Sequence, residues 1–194
     1  TAMALLSTRT SAQLGVAGGL VLAVYSILKP LFGSSGGWVL PFVPAGSSWM
    51  VYHLLEFVPV LLLAAGVYGL YRYQQPVGST VARGGLLLAI MACGAAIVAH
   101  GLEHLTPAIP VPIPLFGEQN VWMWAYYGSW FSIALGLSIV GSTSARTGVL
   151  DGPVRTLVAL TLPTAFGLAV LVKLAVGSGF VLGFTLAVAL SAFL

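Results

Sequence analysis

Residues Val81–Leu105 read VARGGLLLAIMACGAAIVAHGLEHL. From Gly84 to Ala99 no Asp, Glu, Lys or Arg interrupts the apolar run. A helix that crosses a bilayer needs roughly 20 such residues, at about 1.5 Å of rise each. The run is long enough, and its reading as a membrane helix decides the fold class. It closes on HGLEH, so two histidines and a glutamate crowd the last turn and a half of a helix that otherwise avoids charge.

The rest of the chain has the same character. Its 194 residues are 59% hydrophobic and only 6% charged, with a mean hydropathy of +1.04. A water-soluble domain carries about 25% charged residues, and four acids with seven bases cannot cover a solvated surface of this size. The expected class is an all-α, polytopic integral membrane protein forming one domain. Seven bases would suggest nucleic acid in a soluble chain, but here they fall at helix ends, so no nucleic-acid partner is expected. The single cysteine, Cys93, sits mid-helix and cannot form an intramolecular disulfide.

Six apolar runs emerge, at about 12–32, 49–71, 81–105, 120–140, 155–176 and 180–194. The first follows Arg9 without a clear small-residue cleavage site and is read as an anchor helix. The sixth is short. Pro59 and Pro163 fall inside the second and fifth runs and are expected to bend them. Between runs lie GSSGGWVLPFVPAGSS (Gly33–Ser48), TPAIPVPIPLFGEQ (Thr106–Gln119) and STSARTGVLDGP (Ser142–Pro153). The four prolines of the second of these leave little prospect of helix.

Arg9, Arg72, Arg83, Arg146 and Arg155 all fall on one side if six spans alternate. The positive-inside rule makes that side cytoplasmic, with both termini on it. Trp38, Trp49, Trp122 and Trp124 gather at the opposite boundary as an aromatic belt. Lys29 and Lys173 sit near outer helix ends, where long side chains snorkel. The expected location is a cytoplasmic-type membrane, crossed several times.

The ionisable residues of the outer ends form the candidate site. His53 and Glu56 lie in YHLLEF near the start of the second run. His100, Glu103 and His104 end the third. Residues three and four apart share a helix face. Antiparallel neighbours would bring both groups to one layer, roughly 6 Å below the helix ends. Ionisable groups inside a membrane are costly and mark functional sites. Histidine and carboxylate suit a divalent metal, with His53, His100 and His104 as ligands and Glu103 or Glu56 as acid/base or further ligand. Zinc is the expected ion; copper or iron also suits these donors. The order H-x-x-E-H resembles the inverzincin metalloprotease signature across these five residues. That resemblance implies His100 and His104 as ligands and Glu103 as the base.

Several functions remain open at this level. One is metal-dependent hydrolysis of a lipid or amphiphile at a site near the extracytoplasmic face. A second is a small haem-binding or structural subunit of a larger membrane complex, with His53 and a histidine of the third run as axial ligands. A third is a polar clasp that pins two helices together without any cofactor. A proton or quinone site is a fourth. The bilayer is the expected partner, with partner subunits or a homo-oligomer beside it. Glu118, Gln119 and Asn120 are read as a helix start. The aromatic cluster Trp122, Trp124, Tyr126, Tyr127 and Trp130 is read as belt and packing. The fourth run carries YGSWFS instead of G-x-S-G, and the last has no histidine, which excludes rhomboid-type proteolysis.

Overall fold

The computed structural model describes residues 8–28, 48–74, 79–105, 109–113, 117–147, 150 and 152–176. The described elements, in chain order, are α1 (Thr8–Leu28), α2 (Ser48–Gln74), α3 (Thr80–Leu105), β1 (Pro110–Ile113), β2 (Gly117–Asn120), α4 (Val121–Thr147), α5 (Gly152–Ala159) and α6 (Thr161–Val176). The sixth apolar run and most of the Gly33–Ser48 connection lie outside the described residues.

α1 runs antiparallel to α2, and α3 to α4. The principal interfaces follow chain order, α1 with α2, α2 with α3, α3 with α4, and α4 with α5 and α6. The α3–α4 and α1–α2 interfaces are the most extensive. Small residues make both possible. The buried side of α3 carries Ala82, Leu86, Ala89, Ala92, Cys93, Ala96 and Ala99. A Cβ on Gly85 would sit 2.8 Å from the Gly136 carbonyl oxygen of α4. Between α1 and α2, a Cβ on Gly15 would sit 2.9 Å from the Cα of Gly66. Backbone-to-backbone approach of this kind is how helices associate where solvent gives no hydrophobic drive.

The outward side of α3 is apolar. Val81, Leu87, Met91 and Val98 face out, Met91 with 73% and Val98 with 59% of its surface exposed. Exposed Leu20 and Val24 of α1 and Leu61 of α2 repeat the pattern. Thr80–Glu103 is long and apolar enough to cross a membrane, and less than half of it is buried within the chain. Among the described residues it is the one helix that meets this measure.

Helix starts and breaks follow local chemistry. Ser79 caps α3, its Oγ accepting the Ala82 N–H at 3.1 Å. Asn120 caps α4, its Oδ1 accepting the Trp122 N–H at 3.2 Å, as a helix-start reading of that segment requires. Pro59 does not interrupt α2 and is fully buried. Pro163 acts differently. It has no N–H for the Ala159 carbonyl and its ring crowds that oxygen, and the helix breaks at Leu160 into α5 and α6. Thr161 Oγ1 then donates to the Val158 carbonyl at 2.9 Å. The break is also held from outside, because the Leu162 N–H donates to Ser138 Oγ of α4 at 2.8 Å.

One element departs from the all-helical expectation. In the proline-rich stretch, β1 and β2 pair antiparallel, with Pro110 opposite Asn120 and Pro112 opposite Glu118. The Val121 N–H donates to the Ile109 carbonyl at 2.9 Å, so residues 109, 111 and 113 are the hydrogen-bonding positions of the ladder. Pro110 and Pro112 fall on the alternate positions, where the ladder needs no N–H.

Candidate functional site

The site grows from α3. His100 is buried, with 6% of its surface exposed. Its ring lies between the two helices that flank α3. The Phe57 ring of α2 meets it edge-on, with centroids 5.5 Å apart. The Tyr126 ring of α4 lies against it at 5.0 Å, tilted by 31°. Glu103, one turn on, places Oε2 at 3.5 Å from His100 Nδ1. That is within ion-pair range and longer than an ordinary hydrogen bond.

The aromatic contacts continue inward along α4. Tyr126 meets Trp130 in a T-shaped arrangement at 6.1 Å, and Trp130 is almost wholly buried, at 1% exposure. Its indole Nε1–H has no hydrogen-bond acceptor among the described residues. Toward the helix end, Tyr127 packs on both Tyr126 and Trp124. One member of the cluster read from sequence as belt and packing, Tyr126, therefore also walls the site. Phe57 was not singled out by the sequence at all. Its signal was present: it follows Glu56 on the helix that carries His53.

The sequence-predicted residues are placed as follows. His100 and Glu103 come together on α3. His53 and Glu56 belong to α2, and His104 to the last turn of α3, but their side chains lie outside the described residues. Among the described residues, no group of three or more His, Cys, Asp or Glu comes together. Cys93 is a buried free thiol two turns below His100, about 10 Å away along the helix, and does not join the site. Glu118 lies on β2, and its side chain is also outside the description.

The two ends of the helix row differ in charge. His100 meets Tyr126 at one end of the α3–α4 pair, and Gly85 meets Gly136 and Ile139 toward the other. Gly141 meets Ala159 of α5 there as well. Ser11 and Gly69 pair the start of α1 with the end of α2. By this register Arg9, Arg72, Arg83, Arg146 and Arg155 all belong to the end opposite the His100 site. No family model, curated protein or solved structure matches the chain.

Proposed function

We propose that the chain is a multi-pass membrane protein with a metal site at the extracytoplasmic ends of α2 and α3, acting as a metal-dependent hydrolase of a lipid or amphiphile. The observation that carries the membrane reading is the outward apolar face of α3. Met91 and Val98, largely presented to the surroundings, are stable facing lipid and unfavourable facing water. The all-arginine end supplies the orientation, cytoplasmic by the positive-inside rule.

The observation that carries the metal reading is the His100–Glu103 pair. A metal-binding histidine commonly offers one ring nitrogen to the ion and the other N–H to a carboxylate. Glu103 beside Nδ1 leaves Nε2 as the ligand atom and makes Glu103 the orienting group, with Glu56 as acid/base. The Phe57–His100 contact sets the register between α2 and α3. Residue 53 is one turn before 57, and residue 104 one turn after 100, so both backbone positions move toward the same end of the antiparallel pair. His53 and His104 are the further ligands in this reading. A zinc ion held there would supply a water with its pKa lowered toward about 7. The residues of the chain would hold and orient the ion and exclude bulk water around it.

A second reading is favoured by the same ring contacts. Phe57 and Tyr126 grip His100 from both sides, which suits an aromatic and polar clasp among three helices. One experiment separates the two. Elemental analysis and an absorption spectrum are recorded on the detergent-purified chain and on the His100→Ala/His104→Ala variant. About one zinc, copper or non-haem iron per chain, lost in the variant, supports the metal site. A Soret band would replace it with haem. A metal-free chain leaves the clasp.

A further inference from the structure

The arginine end poses a separate question. Arg83 lies in the first turn of α3, half-buried, and its Nε is shut off from solvent without a hydrogen-bond acceptor among the described residues. Arg146 is exposed in the last turn of α4. Arg72 ends α2, its guanidinium 3.5 Å from the Tyr68 hydroxyl. Arg155 lies half-buried in α5. No described carboxylate pairs with any of these four. In the sequence Asp151 stands close to Arg146 and Arg155, and it is outside the described residues.

A desolvated guanidinium nitrogen without an acceptor is unfavourable, and none of the described residues supplies one. A guanidinium presents a planar fork of donors that matches a phosphate. The antiparallel register places Arg83 at the level of Gly141 on α4, because Gly85 packs on Gly136 and Ile139. Arg146 lies roughly one turn further out. The two helices in closest contact thus offer one recessed and one exposed arginine at the same end of the pair.

We propose that this end is a binding surface for the phosphate of an anionic phospholipid, with Arg83 as the inner ligand and Arg146 as the outer one. The inference rests on the membrane reading but not on the metal site. Juxtamembrane basic residues already attract anionic headgroups in general. The recessed Arg83 adds a fixed hydrogen-bonding position, which converts attraction into selectivity.

The test is a thermal melt of the full detergent-purified chain. Phosphatidylglycerol, phosphatidylcholine or inorganic phosphate is added, and retained lipid is read by mass spectrometry. Phosphatidylglycerol is expected to raise the melting temperature and to be retained, while phosphatidylcholine and free phosphate do neither. Arg83→Gln is expected to abolish the shift. Arg83→Lys, which keeps the charge and loses the fork, retains only part of it, and His100→Ala leaves it whole. An equal shift with phosphatidylcholine, or with phosphate alone, overturns the proposal. So does a full shift in Arg83→Gln. If that variant does not fold, an undiminished shift in both Arg83→Lys and Arg146→Gln overturns it equally. A chain that fails to enter vesicles of either lipid sinks the membrane reading itself, a result distinct from entry without lipid preference.

Discussion

His100 carries two jobs that single substitutions can separate. Its ring packs between Phe57 and Tyr126, and its nitrogens face Glu103 and, in the proposed site, a metal. His100→Ala removes both. Aromatic contacts of this kind contribute about 1 kcal/mol each beyond their buried area, so a loss of about 2 kcal/mol is expected in a reversible unfolding titration. His100→Phe keeps a ring in place and removes the nitrogens. It should hold most of the stability while losing any bound metal, and a stability loss as large as that of the alanine variant would argue against the packing role. Cys93 gives a simpler check. It is wholly buried in the α3–α4 core, so a membrane-permeant maleimide should label it only after denaturation. Rapid labelling of the folded protein would contradict that packing.

At the level of elements, the helix pairs depend on glycines that admit a neighbouring backbone. The Gly136 carbonyl oxygen would sit 2.8 Å from a Cβ on Gly85, and a carbonyl in a helix has nowhere to retreat. Gly85→Val should therefore separate α3 from α4 and cost about 2 kcal/mol. Gly84, one position away, has open space around it, so Gly84→Ala is the matched control and should be near neutral. The α5–α6 break depends on Pro163 and on the Ser138 hydroxyl that receives the Leu162 N–H. Ser138→Ala leaves the part-buried Leu162 N–H without its acceptor and should cost about 1 kcal/mol in the same titration. The β1–β2 pair shows how an element can escape a rule of thumb. Proline normally argues against a strand, but Pro110 and Pro112 alternate, so every missing N–H points away from the partner strand. The same alternation denies the outer edge of β1 the donors another strand would need.

Across the whole molecule, charge and apolar surface are arranged along one axis. The five arginines fall at one end of the helix row, and the His100 site at the other. The proposed topology predicts that a reporter fused within residues 75–78 is cytoplasmic and one fused within residues 114–116 is outside. A cytoplasmic result at both positions would overturn the alternation. The α3 run, its outward apolar face and the basic end were legible in the sequence, because each rests on composition along a single helix. The bend at Pro163 was legible for the same reason, since a missing N–H acts on its own chain. The packing around His100 was not. The sequence reading paired α3 with α2 because a short connection joins them, whereas the closer partner of α3 is α4, across the longer proline-rich connection. The sequence reads Tyr126 as belt and packing, and the contact with the His100 ring is visible only in the fold.

By itself the sequence determined that this chain is helical and strongly apolar, which residues carry its few charges, and that His100 and Glu103 share one face of one helix. These follow from hydropathy and from the fixed 3.6-residue period, which need no knowledge of neighbours. Tertiary structure alone decided that α4 walls the His100 site with Tyr126. It decided which glycines admit a second backbone, and it recessed Arg83 Nε away from solvent. Those facts depend on the rotation and register of one helix against another. That register is set by the summed fit of many small side chains, and no single stretch of sequence encodes it.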